Sequence, residues 1–184
     1  RHIEKVERPV VQSSLADQNP AMGAYRHFML KGICQQPHVI GDTLLTMVDP
    51  VTGHSDLPNL PELKRAQRLT IVACGTSYYA ARIGKYWIER MACLPVDVEV
   101  ASEFRYRRPV LTPGQVALFI SQSGETADTL AALRLCRAEG QGIMSIVNVQ
   151  ESTIARESDV VLPTVAGREF GVASTQAFTA QLPL

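Results

Sequence analysis

The sequence predicts an α/β fold, a three-layer, doubly wound, parallel five-stranded sheet of the flavodoxin-like type, preceded by an N-terminal helical segment. Three observations lead to this prediction. Short apolar runs of strand length alternate with stretches of helix length from residue 61 onward. These runs are apolar at consecutive positions, which is typical of parallel strands covered on both faces. Two of the runs end in small, hydroxyl-rich turns that open helices.

Composition fits a single globular domain with or without an appendage, because 46% of the 184 residues are hydrophobic. Lys and Arg number 18, as do Asp and Glu, and this zero net charge argues against a nucleic-acid partner, which requires a basic face. No apolar run approaches the ~18 residues of a membrane span, and residues 1–10 lack the apolar core of a signal peptide. We therefore expect a cytoplasmic protein without a membrane partner.

The four cysteines lie far apart in the sequence, at Cys34, Cys74, Cys93 and Cys136. They form no CxxC pair and no Cys/His cluster with zinc-ligand spacing. We expect reduced, buried thiols, no metal site and no cofactor.

Residues 1–60 are predicted to form an arm and the leading helices, and residues 61–184 the ligand-binding domain. The arm is polar up to Asn19-Pro20. The first helix should cover Met22–Gln36, with Pro37 ending it or beginning a second helix. Apolar residues at helical spacing in the first helix should share one face: Tyr25, Phe28, Met29 and Ile33. A loop rich in proline should follow, from Asp49 to Pro61.

Five strands and the helices between them fill the second part of the chain. The predicted strands are Leu69–Ala73, Val96–Val100, Val116–Ile120, Ile143–Val147 and Val160–Leu162. The predicted helices are Tyr78–Met91, Thr126–Ala138, Ser152–Arg156 and a last one beginning near Ser174. Tyr86 and Trp87, in the first of these helices, are expected to serve helix packing rather than to form a stacking platform.

Two turns are the strongest candidates for a ligand site, Cys74–Ser77 and Ser121–Thr126. In an open parallel sheet, ligands bind beyond the carboxyl ends of the strands. Free N–H groups at a helix start favour an anion, and neutral hydroxyls add further donors. The alternative is that Ser123 and Thr126 only cap a helix. Neither GxxxxGK[ST] nor GxGxxG occurs, so the sequence favours a phosphate site and disfavours a nucleotide site.

A third segment, Gly167–Thr175, follows the last strand and should approach the same sheet edge. Ser174 or Thr175 would otherwise serve only as the N-cap of the last helix. Other residues are weaker candidates. The four histidines lie before the sheet, Glu103 could pair with a nearby arginine, the role of Glu169 stays open, and Arg105, Arg107 and Arg108 suit solvent or a subunit contact better than phosphate.

Four motifs occur in this order: ACGTSYYA, ASEFRYR, SQSGETADTL and GVASTQAFT. Together with YRHFMLKGICQQP before them, they resemble the first sugar-isomerase (SIS) subdomain of the isomerising glutamine:fructose-6-phosphate aminotransferases, the glucosamine-6-phosphate synthases. The resemblance extends over approximately Ala24–Leu184. SQSGET alone is only an SIS signature, and SEFRYR and GVAST make the resemblance specific.

The resemblance implies an activity, a ligand and a set of site residues. Members of that family join ammonia from glutamine to fructose 6-phosphate and isomerise the product to glucosamine 6-phosphate, and they form dimers. Carried over by motif, the phosphate would be held by Thr76, Ser77, Ser121, Gln122, Ser123 and Thr126. The sugar would be lined by Val172, Ala173 and Ser174.

The sequence also departs from that family. It contains neither the glutaminase domain nor the second SIS subdomain, which would carry the catalytic groups, so we expect a fragment that is inactive alone. Gln176 stands where the family usually has Lys, and Gly32 and Gln35 stand where it usually has Glu. Two alternatives stay open: a stand-alone SIS deaminase or isomerase of amino-sugar phosphates, and a non-catalytic sugar-phosphate sensor. The sequence on either side of this segment would discriminate among them.

Overall fold

The computed structural model describes residues 22–55, 58, 61–167, 169 and 174–184. The predicted arm before residue 22 therefore lies outside the described residues. In the described part, no helix is both long and apolar enough to cross a membrane.

The central sheet has five strands, all parallel, in the order β2-β1-β3-β4-β5. They are β1 (Arg68–Ala73), β2 (Val96–Val100), β3 (Gln115–Ser121), β4 (Gly142–Val147) and β5 (Val160–Pro163). The predicted strands are confirmed, each to within one residue at either end. Strand order reverses between β1 and β3, because β2 returns to one side of β1 and β3 lies on the other.

Helices cover both faces of the sheet, as predicted. Ile71 and Leu118 face one apolar cluster, which includes Ala81 of the helix after β1. Their neighbours Val72 and Phe119 face the opposite cluster, which includes Leu133 of the helix after β3. Successive residues of one strand thus enter two different cores, which explains why the strands are apolar at every position.

Seven helices are present in the described residues. They are α1 (Phe28–Leu45), α2 (Pro61–Arg65), α3 (Gly75–Ala92), α4 (Ala101–Phe104), α5 (Ala127–Ala138), α6 (Thr153–Arg156) and α7 (Gln176–Gln181). The short helices α2 and α4 were not predicted, because one turn of helix leaves no periodic pattern in the sequence.

The expectation that Pro37 separates two helices was wrong, since α1 continues through it. Proline has no N–H to donate to the carbonyl four residues earlier, which here belongs to Ile33. The side-chain amide of Gln36 donates to that carbonyl instead, at 3.4 Å. The lost backbone bond is thereby partly replaced.

The predicted inward faces of α1 and α3 also need correction. Met29 and Ile33 are 37% and 48% exposed, whereas the buried residues of α1 are Val39 and Thr43. On α3, the expected packing of Tyr86 and Trp87 was wrong, because both side chains are exposed. The buried residues of α3 are the small ones, Ser77, Ala80 and Ala81.

The expectation of four buried thiols was correct for Cys136 alone. Cys136 is fully buried between α5 and the sheet, and burial raises the pKa of its thiol to about 12. Cys74 is half-buried, and Cys34 and Cys93 are exposed. All four thiols are free.

Candidate functional site

A pocket of about 500 Å³ opens at the carboxyl ends of β1 and β3, where the strand order reverses. In open α/β sheets this reversal leaves a crevice, because the connections from the two strands leave toward opposite faces. The described residues that line the pocket come from both predicted turns, from the adjoining parts of β3 and α5 (Ala127–Ala138), and from the third segment: Cys74, Gly75, Thr76, Ser77, Ile120, Ser121, Gln122, Ser123, Thr126, Thr129, Glu169 and Ser174.

The turn after β3 is held by its own hydroxyl groups. The Oγ of Ser121 accepts a hydrogen bond from the backbone N–H of Gly124 at 3.0 Å and lies 3.1 Å from the Oγ1 of Thr126. The Oγ of Ser123 accepts from the N–H of Glu125 at 3.2 Å. Because Ser123 only accepts in this contact, its hydroxyl proton remains available to a ligand.

The alternative that Thr126 acts only as a helix cap does not fit the geometry. Thr126 occupies the N-cap position of α5, but its side chain makes no capping hydrogen bond. Its hydroxyl lies beside that of Ser121 instead. The N–H groups in the first turn of α5 are therefore not satisfied by the cap residue, which suits them to an anion.

The opposite wall of the pocket is the beginning of α3. Cys74 is the N-cap residue and makes no side-chain capping bond. Gly75 has a φ of +58°, a backbone conformation that residues other than glycine rarely adopt. Thr76 is exposed to the pocket, whereas Ser77 is 8% exposed and its Oγ accepts from the Nε2 of Gln181 at 3.0 Å. Ser77 thus links α3 to α7.

The third segment contributes Glu169 and Ser174, and Val172 and Ala173 lie outside the described residues. Glu169 caps α7. Its Oε1 accepts from the N–H groups of Thr175 and Gln176 at 2.6 and 2.7 Å, and its Oε2 accepts from the hydroxyl of Ser174 at 2.9 Å. Thr175 is the N-cap residue by position, but the carboxylate of Glu169 performs the capping. This contact gives the carboxylate a structural role.

Two structural features were missed from the sequence, one beside the pocket and one in its lining. Buried Asn148 anchors the segment after β5: its Oδ1 accepts from the N–H of Ala166 and its Nδ2 donates to the carbonyl of Gly167, both at 2.8 Å. Thr129 lines the pocket, and its buried hydroxyl has no partner among the described residues. Its spacing of three residues from Thr126 on α5 was the available signal.

No Lys, Arg or His belongs to the described pocket lining. Arg105 instead pairs with Asp128 in the first turn of α5, at 2.7 Å, and this hydrogen bond raises the pKa of Arg105. Arg107 pairs with Glu99. Glu103 and the described histidines, His27, His38 and His54, also lie outside the lining, and His2 precedes the described residues. The described residues contain no group of three or more His, Cys, Asp or Glu arranged to hold a metal ion.

Comparison with known proteins gave three kinds of match. The SIS domain family model matches residues 62–184. The chain is 57% identical over 178 residues to the glutamine–fructose-6-phosphate aminotransferase [isomerizing] of Zymomonas mobilis, covering 96% of this chain and 29% of that protein. It is 58% identical over 180 residues to the protein of the same name from Mesorhizobium japonicum, covering 97% of this chain and 30% of that one.

Among solved structures, the C-terminal domain of glucosamine-fructose-6-phosphate aminotransferase from Francisella tularensis aligns with a TM-score of 0.82 and 46% identity. The alignment covers 89% of this chain and 46% of that one. Tagatose-6-phosphate ketose/aldose isomerase from Escherichia coli aligns with a TM-score of 0.73 at 21% identity, a likeness of fold alone. With respect to the curated relatives, the chain spans only about 29% of their length.

Proposed function

The chain belongs to the SIS domain family, and from this premise we propose that it is the sugar-phosphate-binding part of the isomerase domain of a glucosamine-6-phosphate synthase. The observation that carries the proposal is the pocket itself, in which two hydroxyl-rich helix starts face one cavity. The identity to isomerising aminotransferases along nearly the whole chain supports this ligand class over other sugar phosphates.

In the proposed complex, the phosphate of fructose 6-phosphate or glucosamine 6-phosphate lies at the start of α5. The dianion is attracted by the N–H groups and the dipole of that helix. Ser123 and Thr126 supply hydroxyl donors, with Thr76 on the opposite wall. Further binding residues are Ser77, Ser121 and Gln122. Thr129 adds a buried hydroxyl that a ligand or a bound water would satisfy.

The sugar itself would contact the third segment, by Val172, Ala173 and Ser174. Of these, Ser174 is a described lining residue, and its hydroxyl donates to Glu169. A serine in this contact keeps its two lone pairs for accepting from a sugar hydroxyl. This segment would therefore recognise the sugar, whereas the turn after β3 would recognise the phosphate.

The chemistry requires groups that this segment does not supply. Release of ammonia requires a thiol nucleophile, and isomerisation requires a base that moves a proton between adjacent carbons. The carboxylate in the described lining, Glu169, already accepts five hydrogen bonds from the residues that begin α7. We therefore assign catalysis to a glutaminase domain and a second SIS subdomain of the whole enzyme, which would act as a cytoplasmic homodimer.

Calorimetric titration of the 184-residue chain and its Ser123→Ala variant with fructose 6-phosphate tests the proposal. Losing one hydrogen bond to a charged group costs about 1.5–3 kcal/mol, so the affinity should fall about 10- to 100-fold. Exposed Ser55 lies outside the described lining, so Ser55→Ala is the matched control and should leave the affinity unchanged.

Fructose is the second control, because it lacks the dianion that the helix starts attract. It should bind much more weakly than fructose 6-phosphate. Equal binding of the two sugars, or unchanged affinity in Ser123→Ala, would reject the site.

A further inference from the structure

Two glutamines that lie far apart in the sequence meet at one contact in the structure. The Nε2 of Gln176 donates to the Oε1 of Gln35 at 2.9 Å, across 141 positions of sequence. One turn earlier on α1, a Cβ on Gly32 would lie 2.9 Å from the Oγ1 of Thr175. We call this contact of Gly32 and Gln35 with Thr175 and Gln176 the amide clamp.

The amide clamp carries no charge. Gln176 is 4% exposed, so a lysine at that position would bury an ammonium group and would require a carboxylate partner. Two glutamines satisfy each other as donor and acceptor without ionisation.

The clamp acts on the residues that form the third wall of the pocket. Gln176 is the first residue of α7, and its N–H donates to Glu169, as does that of Thr175. Glu169 in turn accepts from the hydroxyl of Ser174, the described sugar-side residue. A connected path of hydrogen bonds therefore runs from Gln35 on α1 to the pocket.

We propose that Gln35 is a positioning residue for the sugar-phosphate site: its amide, bonded to that of Gln176, fixes the start of α7 and with it the pocket wall formed by Glu169 and Ser174. This role rests on the proposed function, because it assigns a purpose to the sugar side of that pocket. The principal phosphate turn lies between β3 and α5, and its hydroxyl contacts include no residue of the clamp.

The first test separates sugar recognition from phosphate recognition. Gln35→Ala is titrated with fructose 6-phosphate and with inorganic phosphate. Freeing the start of α7 should lower the affinity for the sugar phosphate by up to about 3- to 10-fold, the equivalent of one neutral hydrogen bond. The affinity for inorganic phosphate should stay unchanged, which a general loosening of the fold would not produce.

Gln36→Ala is the matched control, because Gln36 is the neighbouring glutamine of α1 and its amide donates within that helix, to Ile33. It should leave the preference for sugar phosphate over phosphate unchanged. The proposal is overturned if Gln36→Ala changes this preference as much as Gln35→Ala does. An equal loss of affinity for fructose 6-phosphate and for inorganic phosphate in Gln35→Ala also overturns it.

A second test requires no ligand. Thermal unfolding is compared for Gln176→Lys, Gln35→Glu and the double variant. The lone lysine should lower the unfolding midpoint, and adding Gln35→Glu should recover most of the loss because the lysine then has an ion-pair partner. No recovery would disprove direct coupling of the two side chains. If the wild-type chain binds fructose 6-phosphate no better than fructose, the proposed function fails, and any role of the clamp in sugar binding fails with it. The unfolding of the two single variants and the double variant still decides whether the contact exists.

Discussion

The side chain of Ser152 occupies the space that a Cβ on Gly124 would need. A Cβ built on Gly124 would overlap the Oγ and Cβ of Ser152, which is 2% exposed at the N-cap of α6. The N–H of Ile154 also donates to the carbonyl of Gly124 at 3.0 Å. The turn after β3 is thus packed tightly against α6, and only glycine fits at its centre.

Gly124→Ala should therefore destabilise the protein and weaken ligand binding. Gly124 has a φ of +63°, and an L-residue there costs about 1–2 kcal/mol, to which overpacking adds about 1–3 kcal/mol. Urea unfolding measures the sum. Gly114→Ala is the control, since Gly114 has a φ of +82° with nothing near its Cβ position, so it should show the backbone cost alone. Equal losses in the two variants would contradict the packing argument.

The chain alone should not exchange the C2 proton of glucosamine 6-phosphate. The described pocket lining holds no amine or imidazole, and its carboxylate already caps α7. NMR in deuterated water follows the exchange, with the Zymomonas mobilis relative assayed in parallel. Exchange at an enzymatic rate that Ser121→Ala abolishes would favour a complete stand-alone isomerase.

Two glycines of α1 should respond differently to alanine. Gly41 has nothing within 4 Å of its Cβ position, so Gly41→Ala should raise the free energy of unfolding by about 0.5–1 kcal/mol. The free energy of unfolding of Gly32→Ala should be lower than that of Gly41→Ala by about 1 kcal/mol or more, because the added methyl group would press on Thr175. Denaturant unfolding compares them, and identical gains would show that Gly32 is not a close-contact position.

Thiol labelling should divide the cysteines into classes. Cys34 and Cys93 are exposed and should react with an aromatic disulfide reagent in the native protein, with Cys74 slower. Cys136 should react only after unfolding, because burial raises the pKa of its thiol to about 12 and excludes the reagent. The number of thiols labelled per chain is measured before and after denaturation. Labelling of Cys136 in the native protein would contradict its burial.

Glu157 should contribute stability that depends on pH. Arg134 donates two hydrogen bonds to its carboxylate, at 3.0 and 2.6 Å, and holds the pKa of Glu157 below its ordinary value of 4.5. This stabilisation is present above the unfolded-state pKa and is lost as the pH falls through the lower folded-state pKa. Glu157→Gln should therefore cost about 0.5–1 kcal/mol at neutral pH, since the pair is largely exposed. Urea unfolding at neutral and strongly acidic pH should show the difference shrinking, and a constant difference would contradict the linkage.

The sequence by itself determined the parallel sheet and the two turns that line its pocket. Strands covered on both faces must be apolar throughout, so Val116–Ile120 was recognisable without neighbours. The hydroxyl-rich turns follow directly from those strands, and parallel strands bring their carboxyl ends to one edge. The two turns that contribute Thr76 and Thr126 to the pocket lining could therefore be predicted from the sequence.

Only the tertiary structure decided how α1 packs against α7. The inward residues of α1 include Gly32, Gln35 and Thr43, which carry no apolar signal, whereas its apolar residues Met29 and Ile33 remain exposed. Periodicity reports which face of a helix is apolar, and it cannot report a contact made by amides and a glycine. The partners of these residues lie more than 100 positions away, so the contact is defined by the packing of the whole chain.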